Sequence, residues 1–221
     1  MLALEVSRPS AKFGAVLAQL YNIFDRPDWP SVCVSAHLSL LRMYPRAVQH
    51  HNRSIETEAS LIGTDGSVVY TFTARAHGHR DDGTGTWPDF WNDVGLNEFT
   101  TNGNTPTGLM EIDLNTPESD TEVYGKSNIN RVIRGLMGNA ETIVPAVRDG
   151  ILIHSGAWPG WVDGTPMPNS AGCVHVHPDA LAEIADLLRQ MGVEARPNPE
   201  GSSAPYAFRG QGLMAVQRFG R

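Results

Sequence analysis

The stretch from Ile151 to Pro178, reading ILIHSGAWPGWVDGTPMPNSAGCVHVHP, constrains the fold more than any other part of the chain. It opens on the apolar run Ile151-Leu152-Ile153, which has the length and β-branched content of a buried strand and ends on His154. It closes on Ser170-Ala171-Gly172-Cys173. Between these ends lie Gly156, Pro159, Gly160, Gly164, Pro166 and Pro168, so the intervening segment must be a loop rather than a helix or strand. A loop that folds back lets an imidazole and a thiol meet. That is the arrangement a cysteine nucleophile needs, because the thiolate is the reactive form and a neighbouring base raises its population near neutral pH.

The rest of the chain reads as mostly strands. Ile55, Thr57, Ala59 and Leu61 alternate, Gly63-Thr64-Asp65-Gly66 supplies turn residues, and Val68, Tyr70 and Phe72 alternate again, which predicts a β-hairpin. Met110, Ile112 and Leu114 alternate as a further strand, and Leu213-Met214-Ala215-Val216 reads as a last one. Three stretches have helical spacing. Val16, Leu17, Leu20, Ile23 and Phe24 predict a short amphipathic helix over 11–24; Ile129, Val132, Ile133, Leu136 and Met137 predict one over 128–137, stopped by Gly138; Leu181, Ile184, Leu188 and Met191 predict one over 178–191, with Gly192 after it. The dense apolar residues of Ser31–Tyr44 have no clear period and leave helix and strand open. Ala76 to Asn104 carries Trp87, Phe90, Trp91 and Phe99 without a period and predicts a long loop, either a wall over the site or a surface flap on its own aromatic cluster.

Charge narrows the partners. Lys and Arg number 17 against 24 Asp and Glu, a formal charge of −7, which disfavours nucleic acid, since binding phosphate backbones demands clustered basic residues. No apolar run approaches the length that spans a bilayer, and the opening Met1-Leu2-Ala3-Leu4-Glu5-Val6 lacks the charged-then-apolar order of a secretory signal. Two cysteines are too few for a disulfide framework, so Cys33 and Cys173 read as free thiols. Cys33, within Val32-Cys33-Val34, reads as a small buried hydrophobe, and Cys173, preceded by glycine and supplied with an upstream histidine, as the reactive one.

The order of strand, His154-Ser155-Gly156, loop and Ser170-Ala171-Gly172-Cys173-Val174 resembles the catalytic motif of the L,D-transpeptidases, the YkuD-like domains. Thr105-Pro106-Thr107-Gly108, leading into a strand, is similar to a turn of the same family. Two positions depart from the pattern: Ala171 stands where histidine is frequent, and His175, two after the cysteine, where arginine or asparagine is usual. The resemblance implies a mainly β fold, a mixed β-sandwich with two or three helices, over residues 51–221, and leaves 1–50 as an N-terminal extension. It implies cysteine-dependent acyl transfer on peptidoglycan stem peptides, both donor and acceptor, in the cell wall or periplasm, without a cofactor. Cys173 would be the nucleophile and His154 the general base, with Gly172 and Cys173 amides facing the oxyanion, Ser170 and His175 in support, and a carbonyl of Ser155, Gly156 or Ala157 orienting His154. Ser170 has two readings, support of His154 or the donor and a mere cap of the turn. Arg131 and Arg134 are candidates for a substrate carboxylate or plain surface charge.

Three alternatives accompany this reading. An L,D-carboxypeptidase would use the same pair to hydrolyse the same bond. A zinc site would draw on the alternating Cys173, His175 and His177, completed by His154 or by His77 and His79, although Cys-x-His-x-His is not a usual zinc spacing. A wall-binding domain with a decayed centre is weakened by the presence of both His154 and Cys173.

Overall fold

A computed structural model describes residues 39–44, 56–63, 66–76, 78, 98–113, 120–127, 131–158, 161–195 and 210–216, with only the backbone of 39–44. The helix expected over 11–24, Cys33 and the aromatic residues Trp87, Phe90 and Trp91 lie outside them. The elements are strands β1 Ser39–Tyr44, β2 Glu56–Ile62, β3 Val68–Arg75, β4 Gly108–Ile112, β5 Val132–Gly138, β6 Ile153–His154, β7 Val174–Val176 and β8 Gly212–Val216. Among the described residues three helices join them: α1 Thr121–Tyr124, α2 Asn139–Ile143 and α3 Pro178–Gln190.

The strands form one sheet in the order β5-β4-β8-β1-β2-β3-β7-β6. Neighbours run antiparallel except β1 with β8 and β6 with β7, which are parallel. The sheet is rolled: the N–H of Val132 at the start of β5 donates to the carbonyl of Ile151, just before β6, at 2.7 Å, so the two ends of the strand order meet. Its two halves therefore face one another across a single apolar cluster. Ala59, Leu61, Phe72 and Ala74 enter it from β2 and β3, Met110, Ile112, Met214 and Val216 from β4 and β8, and Val174 and Val176 from β7. This is the mainly β, two-layered architecture that the resemblance implied.

The hairpin β2–β3 arises from the alternation read above. Phe72 and Ala74 point inward, Thr71 and Thr73 outward, and Gly66 makes the turn at φ +83°, a conformation that costs glycine nothing. Helix α3 starts with Pro178 at its first turn and carries Asp179 there and Arg189 in its last, matching the helix dipole. It buries Leu181, Ile184, Ala185 and Leu188, and full burial of a leucine or isoleucine is worth about 1.5–3 kcal/mol each.

Two regions differ from the sequence reading. Val132–Gly138, inside the stretch expected to be helical, is strand β5, antiparallel to β4. Val132, Ile133, Leu136 and Met137 satisfy a helical period, but two register shifts against β4 break the strand alternation that would have given it away. Pairing with β4 decides the outcome over local spacing. The end of the undecided stretch, Ser39–Tyr44, is strand β1, which lies between β8 and β2, so the sheet takes in residues from the segment read as an extension.

Candidate active site

The parallel pair β6–β7 builds the site. Its register sets Ile153 beside Val174 and His154 beside His175, and the Val174 N–H donates to the Leu152 carbonyl at 2.8 Å. Side chains alternate across a strand, so Cys173, one step before Val174, shares a sheet face with His154 and His175. Parallel neighbours need a long crossover, and the glycine- and proline-rich segment 155–172 supplies it without a helix. Both His154 and Cys173 line one cavity of about 880 Å³.

His154 is 5 % exposed, and its Nδ1 lies 2.6 Å from the carbonyl of Ser155, one of the three expected orienting groups. A carbonyl only accepts, so the tautomer that bonds Ser155 carries its hydrogen on Nδ1. Burial pushes the His154 imidazole below its ordinary range, against the opposing pull of the Ser155 and Val123 carbonyls. The ring is therefore neutral at pH 7, the form a base requires. Tyr124 meets it edge-on at 5.2 Å between centroids, and His175 at 4.6 Å.

The cysteine turn is held from several sides. Ser170 Oγ accepts from the Gly172 N–H at 2.9 Å and donates to the Cys173 carbonyl at 2.6 Å, so the hydroxyl caps the turn. The Gly172 amide, expected to face the oxyanion, is thereby engaged elsewhere. Thr105 Oγ1 donates to the Gly172 carbonyl at 2.9 Å, which gives the Thr105-Pro106-Thr107-Gly108 motif a purpose. The motif's glycine sits at φ +129°, where a Cβ would lie 1.9 Å from the Met137 carbonyl oxygen. Cys173 Sγ accepts from the Leu152 N–H at 3.4 Å and lies 3.6 Å from the Gly150 carbonyl, to which the thiol can donate.

Arginine 148 was not among the residues singled out. It is 8 % exposed and lines the cavity. Its Nη1 donates to the carbonyls of Glu98 and Asn104, both at 2.7 Å, and its Nη2 to those of Gly103 and Ala171, both at 3.1 Å. Burial pulls the guanidinium below the usual arginine range, while the neighbouring Cys173 and Glu98 hold it up. Beneath the cavity floor, Arg75, driven to about 10 by burial against the opposing effect of Glu56, donates through Nε and Nη2 to Asn169 Oδ1 at 2.8 and 2.6 Å. The arginines that were singled out lie elsewhere: Arg134 pairs with Glu111 at 2.5 Å, Arg131 is buried at the head of β5, and neither lines the cavity.

His175 is buried, with Nδ1 2.8 Å from the Pro168 carbonyl and its ring 4.6 Å from that of Trp158. His177 lies against Trp161 and 3.6 Å from Asp163. Among the described residues no three His, Cys, Asp or Glu side chains are grouped to hold a metal ion; His77 and His79 are not among them. The described ends of the long loop act as a wall: Gly78 bridges to Ser170, and Thr101 and Asn102 line the cavity.

No single local signal in the sequence marks Arg148, since its four partners come from residues 98–104 and 171. Trp158 could have been found, because an aromatic residue in the loop between base and nucleophile has few places to go except the site.

A family model described as the L,D-transpeptidase catalytic domain (YkuD) matches residues 58–202. No curated protein and no solved structure matches the chain. Among the described residues no helix is long and apolar enough to cross a membrane.

Proposed function

Because the chain belongs to the L,D-transpeptidase catalytic domain family, which acts on peptidoglycan peptides, we propose that it is a cysteine acyltransferase joining stem peptides in the cell wall. The observation that carries the proposal is the β6–β7 register, which supports a shared task for His154 and Cys173 on one face above one cavity. His154 Nε2 takes the thiol proton as Cys173 Sγ attacks the carbonyl that joins the third residue of a donor stem to its terminal D-alanine. The tetrahedral intermediate collapses, the D-alanine amine leaves with the proton from His154, and a thioester remains. An acceptor amine attacks that thioester, gives its proton to His154, and frees the thiol.

The geometry supports particular supporting tasks. Ser155 holds the tautomer of His154 through its carbonyl, Ser170 and Thr105 hold the cysteine turn, and His175 packs beneath His154 against Trp158. Residues 51–221 would make the catalytic domain, with residues 1–50 an extension from which strand β1 enters the sheet. No cofactor enters this chemistry. Transfer and hydrolysis differ only in what attacks the thioester, and a cavity of about 880 Å³ has room for an acceptor peptide beside the donor.

The test incubates the protein with a disaccharide tetrapeptide and reads the products by mass. Cross-linked dimer is the expected product. Tripeptide with free D-alanine and no dimer at high acceptor concentration would replace the proposal with a carboxypeptidase; unreacted tetrapeptide would reject both.

A further inference from the structure

We propose that Arg148 is a positioning residue that supplies the fixed positive charge facing the Cys173 thiolate and locks the nucleophile's turn to the wall formed by residues 98–104. The inference rests on the reading of Cys173 as nucleophile and adds the group that sets its charge state.

The geometry leads there in three steps. First, a thiolate needs a counter-charge, and the cavity's own imidazole is a poor source, because His154 is buried and its charged form is disfavoured there. Second, Arg148 is a cation seated against the turn that carries the sulfur, its Nη2 donating to the Ala171 carbonyl. It interacts electrostatically with Cys173, it lines the same cavity, and its Nη2 lies so close to Gly172 that a Cβ there would be 1.7 Å away. Third, the charge is immobilised. Four backbone carbonyls fix the planar fork: Glu98, Gly103 and Asn104 on the wall, Ala171 in the turn. Carbonyls orient a guanidinium without neutralising it, and arginine keeps its proton even when buried. Interaction between two charges is reciprocal: a thiolate that favours the arginine cation is favoured by it to the same extent.

The consequence for the reaction is a division of labour. When the Cys173 S–H bond breaks, the proton passes to His154 Nε2, and the charge left on sulfur is balanced by Arg148 and by the Leu152 N–H rather than by the imidazolium alone. The same bonds tie the wall to the turn. Loss of Arg148 would release Gly103, Asn104 and Ala171 together.

The experiment alkylates the folded protein with iodoacetamide across pH and follows the Cys173 peptide by mass spectrometry, for wild type, Arg148→Lys, Arg148→Gln and Thr105→Val. An opposite charge within ~4–6 Å moves a titration by about 1–3 pH units, so with Arg148 as the counter-charge Arg148→Gln should alkylate about tenfold or more slowly at pH 7, with its half-maximal rate displaced to higher pH. Arg148→Lys, which keeps the charge, should recover much of the wild-type profile. Thr105→Val loosens the same turn without touching charge, so it should lower the melting temperature and leave the midpoint in place. A midpoint equal in Arg148→Gln and wild type would overturn the inference. So would a wild-type midpoint at or above the ~8.5 of a free cysteine, a measurement that stands even if the glutamine variant fails to fold. Iodoacetamide needs no donor peptide, so a protein inactive on stem peptides with a charge-sensitive Cys173 would reject the proposed function and keep this inference, and the reverse pattern would do the opposite.

Discussion

Replacing Gly172 by alanine should be among the most damaging single-methyl changes available in this molecule. Gly172 has φ +104°, outside the range L-residues adopt readily, so alanine there costs about 1–3 kcal/mol from the backbone alone. The new Cβ would lie 1.7 Å from Arg148 Nη2, 2.9 Å from its Cζ and 2.9 Å from the Gly103 carbonyl oxygen. Ordinarily the tip of an arginine yields cheaply, but this one is held by four carbonyls and is buried. Displacing it sacrifices at least the bonds to Gly103 and Ala171, and a hydrogen bond to a charged group is worth about 1.5–3 kcal/mol. Two such bonds and the backbone cost together come to ~4–9 kcal/mol. Gly164 is the control: its φ is +82°, but nothing lies within 4 Å of an added Cβ, so Gly164→Ala should cost only the ~1–2 kcal/mol of the strained backbone. Urea unfolding of both variants and wild type measures the difference. The gap should shrink when both changes are repeated in an Arg148→Gln background, since the clash has then lost its partner. Equal destabilisation by the two alanines, within about 0.5 kcal/mol, would refute the claim that Arg148 is fixed against the cysteine turn.

Other outcomes follow from the same geometry. Exposure to a carbapenem, an acylating mimic of the donor, should leave one adduct on the Cys173 peptide, none on Cys173→Ala, and form it ~10²–10⁴-fold more slowly in His154→Ala; an adduct that survives in Cys173→Ala would move the nucleophile elsewhere. His154 is depressed by burial, so the unfolded chain takes up its proton near ~6.5 while the folded chain does so only at lower pH. Stability should be full above that value and fall as pH drops through the window beneath it, and the difference in urea midpoint between wild type and His154→Gln should trace this limb; a flat difference from pH 8 to pH 4.5 would contradict it. Trp158 packs on His175 and lines the cavity, so acylation of Cys173 should change its fluorescence, and Trp158→Phe should abolish most of that change.

What the sequence disclosed depended on whether the deciding contacts were local. Helix α3 was legible because its apolar stripe, Pro178 and Gly192 all lie within one stretch, and the hairpin because its alternation brackets a glycine turn. Strand β5 was misread because Val132, Ile133, Leu136 and Met137 suit both periods, and the arbiter, its bulged pairing with β4, is non-local. His154 and Cys173 stood out because one loop connects them, His154 ends an apolar run and Cys173 follows a glycine. Whether they shared a face depended on the β6–β7 register, which spacing across a loop cannot give. Arg148 was invisible for a sharper reason. Its charge reads as surface, and only carbonyls from distant segments turn it inward. Ser170 was named, and its bonds to the Gly172 amide and the Cys173 carbonyl lie within the turn.

The meeting of β5 with the lead into β6 has a bearing on the surroundings in which such a domain would work. A sheet of eight strands ordinarily presents two rows of unpaired amides and carbonyls, each a template for any extended chain that drifts past. Here one terminal strand is only two residues long, and the Val132 amide at the head of the other is taken up by Ile151. A protein that handles a dense mesh of short, extended peptides would otherwise be at constant risk of capturing them along its flanks. Rolling the sheet until its margins touch removes much of that adhesive rim from a molecule whose cavity is lined by His154 and Cys173.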